Sequence, residues 1–310
     1  MMSTSVTVVL CTFNGSRFLA EQVTSILNQT YPIEELIISD DASTDSTPGL
    51  LEQLAKENSR IRIVLHQKNL GFSANFEQAM MLANSALIAP ADQDDIWHPE
   101  KIKQLVEAFA HTASIIYCDS VKFSNRLPLS PQPSKKNKRI SGSDPRLLSV
   151  YNTVSGHAML IRKNLLKTAF PMPEGVYYDW WLAVVGMAID EVQFFPEILV
   201  YQRVHDMNVT LPSGVSKATQ RHRFRATLVK HLKAFCSISQ LSNEEIAFFN
   251  QAFTYWEASL RQRINFKLFF WLMQHRKIIY ANKIRVFPLI SQLKNSFVYS
   301  FRFRLQEGED

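Results

Sequence analysis

Cysteine is scarce in this chain. Cys11, Cys118 and Cys236 are the only three in 310 residues, odd in number, with no CxxC pair and no metal-ligand spacing. That excludes a disulfide-stapled secreted scaffold or a zinc module and points to a reducing, cytoplasmic setting. No basic stretch precedes the first apolar run, Val6 to Cys11, which is too short for the core of a signal peptide and reads as a strand. An uninterrupted apolar run of the roughly 18 residues that a spanning helix needs is also missing. The best candidate, Leu268 to Met273, is flanked by Lys267 and His275. GxGxxG is absent after the first strand, which removes a dinucleotide-dependent oxidoreductase. The segment there, CTFNGSRF, also lacks the Gly-rich, Arg-containing loop expected of a sugar-1-phosphate nucleotidyltransferase. There is no internal repeat.

What is present is apolar bulk: 46% of residues are hydrophobic and 11% aromatic, enough for one sizeable core plus an appendage. The net charge of +6 is unevenly placed. Residues 217–310 carry 16 Lys/Arg against 6 Asp/Glu, leaving 18 against 22 in the rest.

The first 118 residues alternate in a βα rhythm. Strands are predicted at Val6 to Leu10, Leu36 to Ser39, Ile61 to Leu65, Leu87 to Ala89 and Ile115 to Cys118. Between them lie a helix from Phe18 to Asn28, one with Thr47 as N-cap and Pro48 at its first position, one capped by Ser73, and one from Pro99 to about His111. Such alternation implies right-handed crossovers and a mainly parallel sheet flanked by helices, an α/β fold. Between Leu127 and Pro145 the composition turns to Pro, Ser, Lys and Gly, read as a mobile loop. A second block follows: the strand-like HAMLIR, a helix from Asp179 to Met187, and strands near Val192 to Phe195 and Leu199 to Val204. The expected division is a catalytic domain over 1–215 and a helical extension over 216–310.

In an open α/β sheet ligands bind beyond the carboxyl ends of the strands. Polar groups stand at four such ends: Thr12, Phe13 and Asn14; Asp40 and Asp41; Asn69 and Gly71; and Asp92, Gln93, Asp94 and Asp95. Two acidic clusters on one edge repel each other unless a cation or a donor-rich ligand lies between them. In an extended segment Asp92 and Asp94 point the same way, about 6 to 7 Å apart, and can face one Mg²⁺ or Mn²⁺ that keeps sites open for phosphate oxygens, while Asp95 points elsewhere. The same aspartates could instead be a solvated turn capping the helix at Pro99. Asp40 and Asp41, followed by Ser43, Thr44 and Asp45, suit either turn chemistry or the base and ribose of a pyrimidine nucleoside.

Together Thr12-Phe13-Asn14, SILNQTY at 25–31, ISDDASTD at 38–45, NLGFSAN at 69–75 and ADQDD at 91–95 resemble the family 2 glycosyltransferases of the GT-A fold. YYDWWLAVVG at 177–186 and YQRVHDMN at 201–208 are similar to bacterial rhamnosyltransferases of surface-polysaccharide synthesis. The resemblance covers about residues 5–210. It implies a nucleotide-sugar donor held by Thr12, Phe13, Asn14, Asp40, Asp41, Asn69, Gly71, Asp92 and Gln93, and a metal on Asp94, with or without Asp92. It places the catalytic base at Asp179. Inverting transfer needs just such a carboxylate to take the proton of the acceptor hydroxyl. Only one is required, because a diphosphate leaves without a general acid. The implied donor is dTDP-rhamnose, with a UDP-hexose as the alternative, and the implied acceptor a glycan or polyprenyl-diphosphate-linked glycan.

Trp180 and Trp181 flank Asp179 and could stack on acceptor sugars, or be buried core aromatics. His205 could bind metal or diphosphate, or be structural, and Arg203 could contact phosphate. Asp119 is a weaker rival for base or ligand. Lys135, Lys136, Lys138 and Arg139 lack interleaved aromatics, so no nucleic-acid partner is expected. In the tail Arg221, Arg223, Arg225, Lys230 and Lys233, then Phe266, Phe269, Phe270 and Trp271 beside Arg276 and Lys277, suit helices on an anionic bilayer. Packing on the catalytic domain or a homodimer contact would use the same residues. QRHRF at 220–224 lacks the Trp of the QxxRW signature of processive synthases. The contrasting class is a non-catalytic assembly protein on a transferase scaffold, against which Asp94 and Asp179 argue.

Overall fold

The β-branched runs and the amphipathic runs between them become successive βα units in the computed structural model, which describes residues 4–124, 126–133, 137–205 and 216–301. Strands β1 (Val6–Thr12), β2 (Glu35–Asp40), β3 (Ile61–Leu65) and β4 (Leu87–Ala91) alternate with helices α1 (Leu19–Leu27), α2 (Thr47–Glu57) and α3 (Phe72–Met81). Every residue of β1 and β4 is buried, as strands covered on both faces require. β1 pairs in parallel with β2 and β4, and β2 with β3. Gly71, not Ser73, caps α3: its φ of 84° is a backbone state that glycine adopts without a steric cost. The Ser73 hydroxyl instead accepts the backbone N–H of Tyr178 at 3.3 Å.

Past β4 the run of parallel neighbours ends. The strand expected at 115–118 lengthens to β6 (Ala113–Phe123), but β7 (Met159–Arg162) lies between it and β4, antiparallel to both. The strands expected near 192–195 and 199–204 are one, β8 (Glu191–Arg203), parallel to β6. Pro196 suggests a break in the sequence. It falls where the register slips from Tyr117–Phe194 to Asp119–Ile198, and there no ladder N–H is needed. The two-residue β5 (Ile96–Trp97) closes the edge, giving eight strands in the order β3-β2-β1-β4-β7-β6-β8-β5.

Alternate residues of β1 feed two cores. Val6, Val8 and Leu10 pack with Leu19, Val23 and Ile26 of α1 and with Ile102 and Leu105 of α4 (Lys101–Ala108). Val9 and Cys11 face the other way, toward Phe76 and Met80 of α3 and toward α6 (Tyr178–Ile189), which follows the short α5 (Leu166–Ala169). Helix α6 is apolar almost all round because it is enclosed. On its far side come α7 (Lys217–Phe235) and α8 (Asn243–Arg261), whose Leu232, Phe235, Phe249 and Trp256 belong to that same core. Helices α9 (Phe266–Gln274), α10 (Arg276–Ile279) and α11 (Pro288–Ser300) follow among the described residues. Within the expected loop, Ile140 and Pro145 are buried, while Lys135 and Lys136 lie outside the described residues.

Candidate active site

Because β1, β2 and β4 run in parallel register, with Thr12 opposite Asp40 and Leu10 opposite Ala91, the segments after them must converge on one edge. There the backbone turns sharply. Asn14 and Ala42 take φ values of 50° and 61°, left-handed positions that L side chains rarely occupy and that concentrate at functional sites. Hydrogen bonds hold the turns. Asn14 N–H donates to Ser43 Oγ at 2.7 Å, Asn14 Oδ1 accepts Thr44 N–H at 2.8 Å, and Asp40 accepts Ser43 N–H at 2.9 Å. Gln93 Oε1 accepts from Thr12 Oγ1 at 2.6 Å and from Phe13 N–H at 2.9 Å. The Asp41 carboxylate accepts Leu70 N–H at 2.6 Å and Gly71 N–H at 3.0 Å, while the Asn69 amide donates to Asp41 O at 3.1 Å.

The structure thus draws Thr12, Phe13, Asn14, Asp40, Asp41, Asn69, Gly71 and Gln93 into one rim across four strand ends. Asp40 and Asp41 are buried, and Phe13 is 45% exposed, its ring open to a ligand. A Cβ at Gly15 would stand 2.2 Å from Gln93 Oε1, so a side chain there would push Gln93 away from Thr12 and Phe13.

The acidic segment differs from the extended pair expected of it. Residues 92–95 form a turn, so the aspartates diverge. Asp94 Oδ2 meets His205 Nε2 at 2.7 Å, both side chains 14% exposed, and the His205 ring packs on Phe18 with centroids 4.8 Å apart. Burial and the neighbouring Asp92 carboxylate raise the pKa of Asp94, against the pull of His205. Asp206 and Asn208, beside His205 in sequence, lie outside the described residues.

Asp92 Oδ2 and Asp95 Oδ2 lie 3.2 and 3.5 Å from His157 Nδ1. Asp95, expected to point away, is the innermost of the three aspartates, and burial drives its pKa upward. Burial opposes protonation of His157, but Asp95 and Asp92 outweigh it and raise its pKa. Beneath them the fully buried Lys101 amine donates to His157 O at 2.6 Å and stands 3.2 Å from the Trp97 ring centroid; burial brings its pKa down to about 7.

Asp179 lies in the first turn of α6, half-buried, and accepts the N–H of Trp180 at 2.7 Å. Burial, reinforced by the Asp92 carboxylate, lifts its pKa to about 6. Asp92 therefore raises the pKa of Asp94, Asp95 and Asp179 alike. Nearby, Gly156 leaves no room for a side chain: a Cβ would stand 2.0 Å from the Tyr178 hydroxyl.

Three expectations need correcting. Trp180 and Trp181 are 5% and 4% exposed, and their indole N–H groups donate to Leu148 O and Ala169 O at 2.6 and 2.7 Å. An apolar ring enclosed in a core gains more than one left in water, so neither offers an open face to a sugar. One edge of Trp180 does border a cavity of about 240 Å³ shared with Arg139, Tyr151, Asn282 and Lys283. Arg203 is clamped rather than free for phosphate. Its Nε donates to Asp94 O at 3.0 Å, its Nη2 pairs with Glu21, and its guanidinium lies 4.6 Å from the centroids of both Phe18 and Phe123. Asp119 is taken by an ion pair with Arg139.

Sequence reasoning missed His157 and Lys101. Their signals were a His preceded by Gly at the start of a strand, and a lysine on the apolar face of α4.

Residues 7–170 match the family model described as Glycosyl transferase family 2. A protein of Haemophilus influenzae described as an uncharacterized glycosyltransferase is 28% identical over 215 residues, 64% of this chain and 65% of that one. The putative glycosyltransferase EpsE of Bacillus subtilis is 31% identical over 170 residues, 51% of this chain and 61% of EpsE. The putative teichuronic acid biosynthesis glycosyltransferase TuaG of the same organism is 33% identical over 102 residues, 33% of this chain and 40% of TuaG. The chain thus spans less than two thirds of the length of each of these three.

Among solved structures, residues 1-349 of S. aureus TarS in complex with UDP-GlcNAc match with a TM-score of 0.60 at 14% identity, over 95% of this chain and 90% of that one. The mannosyltransferase PcManGT from Pyrobaculum calidifontis in complex with GDP-Man and Mn²⁺ matches with a TM-score of 0.56 at 17% identity, over 94% and 78%. These likenesses show the fold, which is GT-A.

Proposed function

Because the chain belongs to glycosyl transferase family 2, we propose that it is an inverting, metal-dependent glycosyltransferase. It moves a sugar from a nucleoside-diphosphate sugar onto a glycan, or a polyprenyl-diphosphate-linked glycan, in the building of a bacterial surface polysaccharide. The observation that carries this reading is Asp179, a half-buried carboxylate whose pKa is lifted to about 6 by burial and by the Asp92 carboxylate of the donor edge. A base tuned to near the working pH is ionised at neutrality yet takes a proton readily.

The chemistry follows from that placement. Asp179 accepts the proton of the acceptor hydroxyl as its oxygen bonds to the anomeric carbon. On the opposite face the bond from that carbon to the diphosphate oxygen breaks, and the configuration inverts. The rim from Thr12 to Gln93 holds the nucleoside, with Asp40 and Asp41 on the base and ribose side.

Asp94 and His205 are the residues proposed to hold Mn²⁺ or Mg²⁺, whereas Asp92, expected to share the ion, turns its carboxylate to His157. The donor chemistry fits: a carboxylate oxygen and an imidazole nitrogen already 2.7 Å apart and partly open to solvent. Asp92, Asp95 and His157 form a second set whose ligand atoms all lie within 4.8 Å of one another. There His157 already stands between two carboxylates and Asp95 is sealed from solvent, so this set is assigned to shaping the turn. When bound, the cation supplies positive charge to the leaving diphosphate.

The first donor to test is dTDP-rhamnose. TarS was solved with UDP-GlcNAc and PcManGT with GDP-Man and Mn²⁺, which supports testing those two sugar nucleotides beside it. The test is release of nucleoside diphosphate from each donor in the presence of Mn²⁺ and a panel of glycan acceptors. Acceptor-stimulated release that disappears in Asp179→Asn supports the reading, and no release from any donor counts against it.

A further inference from the structure

Helix α11 is built inside out. Its buried positions are Ser296 and Ser300, and Ser296 Oγ lies 3.0 Å from the Tyr280 hydroxyl. Leu289, Leu293 and Phe297, spaced i, i+4 and i+8 on one stripe, are 54%, 41% and 48% exposed, and Ile290 beside them is 65% exposed. Just before the helix, Ile284, Val286 and Phe287 are exposed too. An amphipathic helix of a globular protein normally presents the opposite arrangement to water.

Helix α9 adds Phe266 and Phe270, again four residues apart and exposed. The stripes meet through Phe301, whose ring centroid lies 3.9 Å from that of Phe297 and 6.2 Å from that of Phe266. Patches of this kind on a soluble domain mark an interaction site.

Charge says which kind. Residues 261–301 contain eight Lys/Arg and no Asp or Glu. Arg261, Arg263, Lys267, Lys277, Arg285 and Lys294 are exposed, interspersed with the apolar residues. A protein partner or a second copy of the same cationic face would have to supply acidic groups, and this face has none to offer a copy of itself. Apolar side chains that enter an acyl boundary, ringed by cations that meet anionic headgroups, are the recognition chemistry of a membrane surface. None of the helices among the described residues is long and apolar enough to cross a membrane. We propose that the face formed by α9, the 284–287 segment and α11 docks the protein onto an anionic lipid bilayer.

Flotation of the full chain with vesicles tests this without any transfer assay, so its outcome is separable from that of the proposed reaction. Vesicles of phosphatidylcholine alone are compared with vesicles containing phosphatidylglycerol. The protein is expected to float with the anionic vesicles and not with the neutral ones, and added salt should weaken the association. The pair Phe287→Ser with Ile290→Ser and, separately, the pair Lys267→Glu with Lys294→Glu should each lower partitioning on the order of tenfold or more. All four side chains are exposed, so the melting temperature should hold. The proposal is overturned if the wild-type chain ignores phosphatidylglycerol vesicles, or if both variant pairs bind as wild type. It is equally overturned if sedimentation shows a dimer that the apolar pair dissociates while no form binds vesicles.

Discussion

Replacing Asp179 by Asn removes a proton acceptor while keeping the shape of the side chain and the bond to Trp180 N–H. General-base loss costs on the order of 10² to 10⁴ in rate, about 3 to 5 kcal/mol of barrier. With a pKa of about 6, the wild-type carboxylate is about 97% ionised at pH 7.5 and about a tenth ionised at pH 5. Turnover should therefore fall on the acid side with a midpoint near 6. An ordinary aspartate would place that limb near 4.

Stability should move the other way. A carboxylate whose pKa rises on folding destabilises the native state once pH has passed from 3.8 to about 6, and the effect is full above that window. At full burial it would amount to about 3 kcal/mol, and for a half-buried group we take about 1 kcal/mol. Asp179→Asn should thus melt no lower than wild type at pH 7.5, and above it by a few degrees at most. The assay pairs initial rates of nucleotide release across pH 5 to 8 with thermal unfolding and nucleotide calorimetry on the variant. Near wild-type turnover in Asp179→Asn, or an acid limb near 4, would refute the assignment.

Asp94→Asn and His205→Ala should each weaken Mn²⁺-dependent nucleotide binding on the order of 10- to 100-fold, read by calorimetry, and chelation should abolish it in wild type. Gly156→Ala drives a methyl to within 2.0 Å of the Tyr178 hydroxyl, so it should destabilise the protein by about 1 to 3 kcal/mol in denaturant titration. Phe235→Ala, in the core shared by α6 and α7, should cost about 3 to 5 kcal/mol in a single transition if the C-terminal helices unfold together with the sheet. Two separate transitions would count against a common core.

The first four strands were legible because each is a short, mostly apolar run followed by turn chemistry, a local signal. The place of β7 between β4 and β6 was not, since pairing partners are set by tertiary packing and HAMLIR alone carries no direction. The rim residues were legible as polar groups at strand ends. Their partners were less so: Gln93 is gathered to Thr12 across 81 residues, and nothing local to either residue shows it. Asp92 and Asp94 share a face only in an extended segment, whereas the chain turns there and sends Asp92 and Asp95 to His157. The two tryptophans illustrate a general ambiguity, because a large aromatic beside a catalytic carboxylate suits stacking on a sugar and filling a core equally well until burial is known.

The edge formed by Asp40, Asp94 and His205 is proposed to be a metal-dependent site for a nucleoside-diphosphate sugar. Its most direct test is calorimetric titration of wild type and Asp94→Asn with UDP, dTDP and GDP, each with and without Mn²⁺. At least one nucleotide is expected to bind wild type far more tightly with Mn²⁺ than without, and Asp94→Asn to lose that gain. Binding of none of the three, or binding indifferent to both metal and Asp94, would contradict it.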